Sequence, residues 1–158
     1  MSFEMSKIRY LLIVVIVLLD QITKFSVRGL MYIGESIPVI EDIFHITYVQ
    51  NRGAAFSLFS GSGVMLIIIP IAALSLAIWY MEKHKGEHWT LTLSLCLIIS
   101  GGLGNLIDRV FMGFVTDMFD FRIWPVFNVA DIAVCLGAGF LILYTLAFYG
   151  KTSEANNI

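Results

Sequence analysis

Five aspartates, Asp20, Asp108, Asp117, Asp120 and Asp131, stand near the ends of long uncharged stretches in a chain with only 14% charged residues. An ionised carboxylate costs roughly 2.5 kcal/mol or more at the centre of a membrane span, so acids at such places are candidates for chemistry. Asp117 and Asp131 are fourteen positions apart, enough for the chain to leave a membrane surface and return. Two carboxyls brought within a few ångströms share one proton. The ionised member can take a proton from water while the protonated one polarises a scissile carbonyl, which is aspartyl peptidase chemistry.

Each acid also has a purely structural reading. Asp20 precedes Lys24 by one helical turn, an i,i+4 pair able to close a helix end. Asp108 adjoins Arg109 and suits an interfacial charge pair, and Asp120 reads as a solvated loop carboxylate. Asn128-Val-Ala-Asp131 reads as an N-cap followed by an acid at the third helical position, so spacing alone leaves Asp131 divided between capping and chemistry. A different chemistry is suggested by His84-Lys-Gly-Glu87-His88, the H-x-x-E-H zinc spacing. Gly86 weakens a helix there and no further acidic or histidine ligand follows in the next span, so the sequence favours a solvated turn and no metal or other cofactor.

The elements that must position these groups are set by composition. With 58% hydrophobic residues and a mean hydropathy of +0.85, the 158-residue chain is too apolar for a soluble domain. The net charge of −2 gives no footing to a nucleic-acid partner. Cys96 and Cys135 lie in apolar stretches without a metal or disulfide pattern and read as packing residues. About 20 apolar residues cross a bilayer, and four stretches qualify: approximately 8–27, 64–81, 89–107 and 129–149. Arg9 and Lys24 are expected to snorkel to the interfaces at the two ends of the first span. Trp79, Tyr80, Trp89 and Tyr149 suit the interfacial level, and Pro70 predicts a kink in the second span.

Four spans put both termini on one side, together with Glu82 to His88, and two longer connections, 29–63 and 108–128, on the other. Lys7, Arg9, Lys83, Lys85 and Lys151 on the terminal side are matched by Lys24, Arg28, Arg52, Arg109 and Arg122 opposite. Charge density in the short segments favours the terminal side as cytoplasmic. Within the first connection, Phe44 to Val49 alternates as a half-buried strand does, with Ile37 to Ile40 as partner and Glu41 and Asp42 near the turn. Such a sheet either binds an extended peptide by its edge or simply caps the bundle.

Read in order, Asp20-Gln-Ile-Thr-Lys24, Asn51-Arg-Gly-Ala-Ala-Phe56, Gly104-Asn-Leu-Ile-Asp-Arg109, Val115-Thr-Asp-Met118 and Phe127-Asn-Val-Ala-Asp131 resemble the motif series of lipoprotein signal peptidase, or signal peptidase II. The resemblance runs from the first span to the fourth. It implies a four-span enzyme of the bacterial cytoplasmic membrane that cleaves signal peptides from diacylglyceryl-modified prolipoproteins before the lipidated cysteine. By position it makes Asp117 and Asp131 the catalytic pair and places Asn51, Gly53, Asn105, Arg109 and Asn128 in the substrate site. Asp20, Lys24 and Asp108 then serve as structural support. Thr116 departs from the family's usual valine, and the segment between the paired acids is a few residues short of the family's.

The expectation is therefore an all-α membrane protein: a four-transmembrane-helix bundle with a small extracytoplasmic β element, forming one domain over residues 1–158. Its partners would be lipid-modified prolipoproteins and membrane lipids. The competing class is a small four-span multidrug-type transporter, which needs its acid near the middle of a span rather than at one edge. A noncatalytic scaffold is the third option, and it predicts that loss of Asp117 and Asp131 is without effect.

Overall fold

The computed structural model describes residues 2–53, 64–84 and 86–149. Ala54 to Phe56 of the second motif, Lys85 and Lys151 lie outside these residues. Among the described residues, four helices are long and apolar enough to cross a membrane. They are α1 (Ser2–Leu30), α2 (Met65–Lys83), α3 (Trp89–Met112) and α4 (Val129–Tyr144), the last continued by a π-helical turn over Thr145–Tyr149.

Their burial inverts that of a water-soluble bundle. On α1 the buried residues Arg9, Ile13, Asp20, Lys24 and Val27 recur at helical spacing along one stripe, while Leu11, Val14, Leu18, Leu19 and Ile22 are exposed. Apolar side chains turned outward and charges turned inward are the arrangement that a hydrocarbon solvent favours. Arg9 and Lys24 do not extend outward as expected; they are 5% and 0% exposed, and Lys24 is held inside the bundle by Asp20 and Asp108. Helix α3 lies between α1, α2 and α4, and it carries much of the buried apolar core, including Leu91, Leu95, Cys96 and Ile99. Cys96 packs there, whereas Cys135 is on the exposed face of α4.

The first connection folds as expected into a hairpin of β1 (Ser36–Ile40) and β2 (Phe44–Asn51), with Ile37 opposite Ile46. A third strand, β3 (Val115–Asp120), was not legible in the sequence; it pairs antiparallel with β2 and completes the sheet in the order β1-β2-β3. Its residues are mostly buried on both faces, so the period-two alternation that marks a half-exposed strand is missing.

Two boundaries shift with consequences for the site. Helix α3 runs past residue 107 to Met112 and ends where Gly113 takes a left-handed φ of 76°, so Asp108 and Arg109 belong to its last turns. Helix α1 continues to Leu30, which adds Arg28 to the stripe carrying Asp20 and Lys24. Helix α2 passes through Pro70 without ending there. Because β1 and β2 connect α1 to α2, and β3 leads from α3 toward α4, the whole sheet sits at one end of the bundle. Trp79 and Trp89 are exposed near the opposite end.

Candidate active site

Asp117 lies mid-strand on β3, opposite Val49 of β2, and Asp131 lies in the first turn of α4. Asn128 joins them. Its Nδ2 donates to Asp117 Oδ1 at 2.6 Å, while its Oδ1 accepts from the Asp131 backbone N–H at 2.9 Å. Asp131 Oδ2 accepts in return from the Asn128 backbone N–H at 3.2 Å, which completes a capping box. The capping reading of Asn128 and Asp131 was therefore right about local geometry, and it is compatible with chemistry because the cap engages only Asp131 Oδ2.

Two more asparagines fill the remaining positions. Asn51, at the end of β2, donates Nδ2 to Asp117 Oδ2 at 3.1 Å, and Asn105 of α3 donates Nδ2 to Asp131 Oδ1 at 2.8 Å. Each amide is turned the right way by a group that can only donate. The Gly53 backbone N–H takes Asn51 Oδ1 at 2.9 Å, and the Lys24 ammonium takes Asn105 Oδ1 at 2.9 Å. The Asp131 N–H does the same for Asn128, so all three NH2 groups point at carboxylate oxygens. Gly53 can serve because its φ is +76°, and a Cβ there would lie 2.7 Å from Leu66 Cδ1.

Behind Asn105 lies a buried ion cluster. Lys24 Nζ is 2.9 Å from Asp20 Oδ2 and 3.5 Å from Asp108 Oδ2, and the Arg28 guanidinium is 3.3 Å from Asp108 Oδ1. Asp20 also accepts from the Ala130 N–H at 2.9 Å, which ties α1 to the start of α4. Gly104 makes room for this carboxylate, since a Cβ there would come within 2.5 Å of Asp20 Oδ2. Asp108 does not pair with Arg109 as expected. It accepts instead from the Thr116 N–H at 2.8 Å, and Arg28 donates to Thr116 Oγ1 at 3.0 Å. The sequence reading missed Gln21, whose Nε2 reaches Asp20 and the Gly104 carbonyl, and undervalued Arg28. The signal was the i,i+4 run Asp20, Lys24, Arg28 on one helix face.

Arg109 is half-buried and outside this network, its carbonyl receiving the Gly113 N–H. Asp120 is not a solvated loop group: it is 6% exposed and accepts from the Thr47 hydroxyl at 2.8 Å and Arg122 Nη1 at 3.0 Å, fastening the end of β3. His84, Glu87 and His88 lie at the other end of the bundle. There His84 ends α2, His88 caps α3 through the Thr90 N–H, and Glu87 accepts from the Tyr144 hydroxyl.

Burial pushes the Asp117 carboxyl from the ordinary carboxylate range up to about 6. The amide hydrogen bonds from Asn128 and Asn51 oppose the rise, the Asp131 charge adds to it and the Lys24 charge lowers it. Beside Asp131, a cavity of about 530 Å³ opens between α4 and the segment before it, lined by that acid together with Trp124, Phe127, Ile132 and Leu136.

Comparison with known proteins gives this constellation its context. The family model for signal peptidase (SPase) II matches residues 12–147, a stretch that contains every residue of the site. The chain belongs to the signal peptidase II family. It is thus a membrane aspartyl protease, a hydrolase. It is 50% identical to the lipoprotein signal peptidase of Halothermothrix orenii over 135 residues, covering 85% of this chain and 92% of that one. Identity to the Clostridioides difficile lipoprotein signal peptidase is 45% over 146 residues, 90% of this chain and 98% of the relative. A bacterial membrane enzyme solved by the in meso method at 1.9 Å superposes with a TM-score of 0.83 at 33% identity, covering 89% of this chain and 93% of that one. These relatives give no support to the transporter alternative. Asp117 and Asp131 both lie at the sheet end of the bundle.

Proposed function

We propose that this protein removes signal peptides from diacylglyceryl-modified prolipoproteins, cutting before the lipidated cysteine, with Asp117 and Asp131 as the catalytic pair. The observation that carries the reading is Asn128, which bridges two carboxyls from different elements at the same end of the bundle. Asp117, with its carboxyl pushed up to about 6, keeps the shared proton and donates a hydrogen bond to the scissile carbonyl oxygen. Asp131 takes a proton from the attacking water. The water oxygen bonds to the carbonyl carbon as Asp117 passes its proton to the carbonyl oxygen, giving a neutral tetrahedral diol. Collapse then breaks the C–N bond as Asp131 gives its proton to the leaving nitrogen and a diol hydroxyl returns one to Asp117, so the pair again holds one shared proton.

Asn51, Gly53, Asn105, Arg109 and Asn128 are the substrate-side residues in this scheme. Arg109, unengaged by the carboxylate network, has its guanidinium donors to offer the substrate's main-chain carbonyls. The apolar cavity beside Asp131 suits the hydrocarbon parts of a lipidated precursor. The active end faces outward from the bacterial cytoplasmic membrane, among its lipids, and the reaction uses no metal. All of residues 1–158 form the one peptidase domain.

The test is a gel-shift assay of purified enzyme with a diacylglyceryl-modified prolipoprotein and with the same precursor lacking the lipid. Cleavage of the first and not the second is expected. Equal cleavage of both would remove the lipid from the recognition scheme, and cleavage of neither would refute the proposed function.

A further inference from the structure

The Lys24 ammonium has no exposed surface, and a buried cation is normally retained to balance buried anions. Asp20 at 2.9 Å would suffice for that. Yet the same nitrogen also donates to Asn105 Oδ1 at 2.9 Å, and this second bond decides which way the Asn105 amide faces. An amide turned by 180° would place its NH2 against the ammonium, donor against donor, and its oxygen against the Asp131 carboxylate. Asn105 Oδ1 is held from the other side as well, by Asn128 Nδ2 at 3.2 Å. A continuous path of two contacts thus runs from Lys24 through Asn105 to Asp131.

We propose that Lys24 is a positioning residue for catalysis: through Asn105 it locks the Asp131 carboxylate in place, and it supplies the nearest buried positive charge to the acid pair. The inference rests on the assignment of Asp117 and Asp131 made above. The charged and titratable groups facing this cluster are Asp20, Lys24 and Arg28 from α1, Asp108 from α3, Asp117 from β3 and Asp131 from α4. Among them Lys24 is the cation whose nitrogen bonds an amide that itself bonds an acid of the pair. A cation that acted on the pair through its charge alone would displace the pH limbs without lowering the rate between them. One that positions and polarises the pair holds both limbs of the profile at lower pH than they would otherwise have, since a nearby positive charge favours ionised carboxyls.

The test compares Asp20→Asn with the double variant Asp20→Asn/Lys24→Met, using single-turnover cleavage of the lipidated precursor across pH and thermal unfolding in detergent. The two proteins share the loss of the Asp20–Lys24 ion pair and differ in the ammonium, whose contact with Asp108 is also lost in the double variant while Arg28 still pairs with that carboxylate. Asp20→Asn should melt earlier but keep kcat within a few-fold. The double variant should melt no earlier than Asp20→Asn, lose roughly tenfold or more in kcat with little change in KM, and show both pH limbs displaced to higher pH. Lys24→Met alone, compared with the unaltered protein, should show the same displacement. Matching kcat and matching limbs in the two proteins would overturn the proposal. So would a double variant that fails to fold where Asp20→Asn folds, because the ammonium would then be structural. Failure of the catalytic assignment itself reads differently, as retained cleavage by Asp117→Asn.

Discussion

Asn128 Nδ2 and Asp117 Oδ1 meet at 2.6 Å, the shortest of the hydrogen bonds that tie the acid pair to its asparagines. That contact joins a helix cap to the middle of a buried strand. Asn128 therefore serves two ends: its oxygen starts α4, and its nitrogen fixes the acid on β3. Asn128→Asp should keep most of the cap, since aspartate caps as well as asparagine, but it sets a third carboxylate against Asp117. Activity should fall by about a hundredfold or more while the melting temperature drops only slightly. An active Asn128→Asp enzyme would show that the bridge is dispensable.

Asp117→Asn and Asp131→Asn keep shape while removing the exchangeable proton. Each should reduce single-turnover cleavage by about a thousandfold or more and leave a folded protein in the membrane. Asp120→Asn is the matched control: it loosens the Thr47 and Arg122 contacts at the end of β3, so it should lower stability and retain substantial activity. Cleavage by either of the first two variants, measured by gel shift, would contradict the assignment.

The pH dependence follows from Asp117, held at about 6 in the folded protein by burial first and by the Asp131 charge in addition. For kcat/KM, which reports the free enzyme, the high-pH limb should fall near pH 6 as the second proton leaves the pair. Bound substrate excludes more water, so the limb for kcat should lie higher, toward neutrality. Coincident limbs, or a profile flat from acid to alkaline pH with binding intact, would argue against a shared proton.

Stability carries the same signature with its own sign. An unfolded aspartate titrates near ~3.9, and folding raises Asp117 above that, so its contribution to stability is complete below the unfolded value and is lost as pH rises through about 6. Asp120 is shifted the other way, chiefly by the Arg122 backbone N–H, and its contribution is present above the unfolded value and lost as pH falls. Between about pH 4 and 7 the melting temperature of the unaltered protein should therefore decline, and that decline should be reduced in Asp117→Asn. Thermal unfolding at closely spaced pH values reads both.

Topology is open to a direct chemical test. In a background without Cys96 and Cys135, cysteine in place of Glu41, on the exposed turn of the β1–β2 hairpin, should react with an impermeant thiol reagent added outside cells. Cysteine in place of Glu87, at the opposite end, should not. The reverse labelling pattern would put the paired acids on the cytoplasmic side.

The four spans and the β1–β2 hairpin were legible in the sequence because each depends on a local pattern: runs of apolar residues as long as a bilayer is thick, and a strand alternating between two environments. The acids were legible as candidates because a carboxylate near a membrane is expensive wherever it sits. The capping box at Asn128 and Asp131 was legible too, being a contact over three residues. What the sequence could not decide is who meets whom across the bundle. Asp108 adjoins Arg109 in the chain but pairs with Lys24 and Arg28, because α3 continues for another turn and points that carboxylate toward α1. Strand β3 shows no alternation because packing buries both of its faces, and only its pairing with β2 places Asp117 beside Asn51. The direction of each asparagine amide is fixed by donors far away in sequence, Lys24 for Asn105 among them, so the acids and their orientation are properties of the packed bundle and not of any one segment.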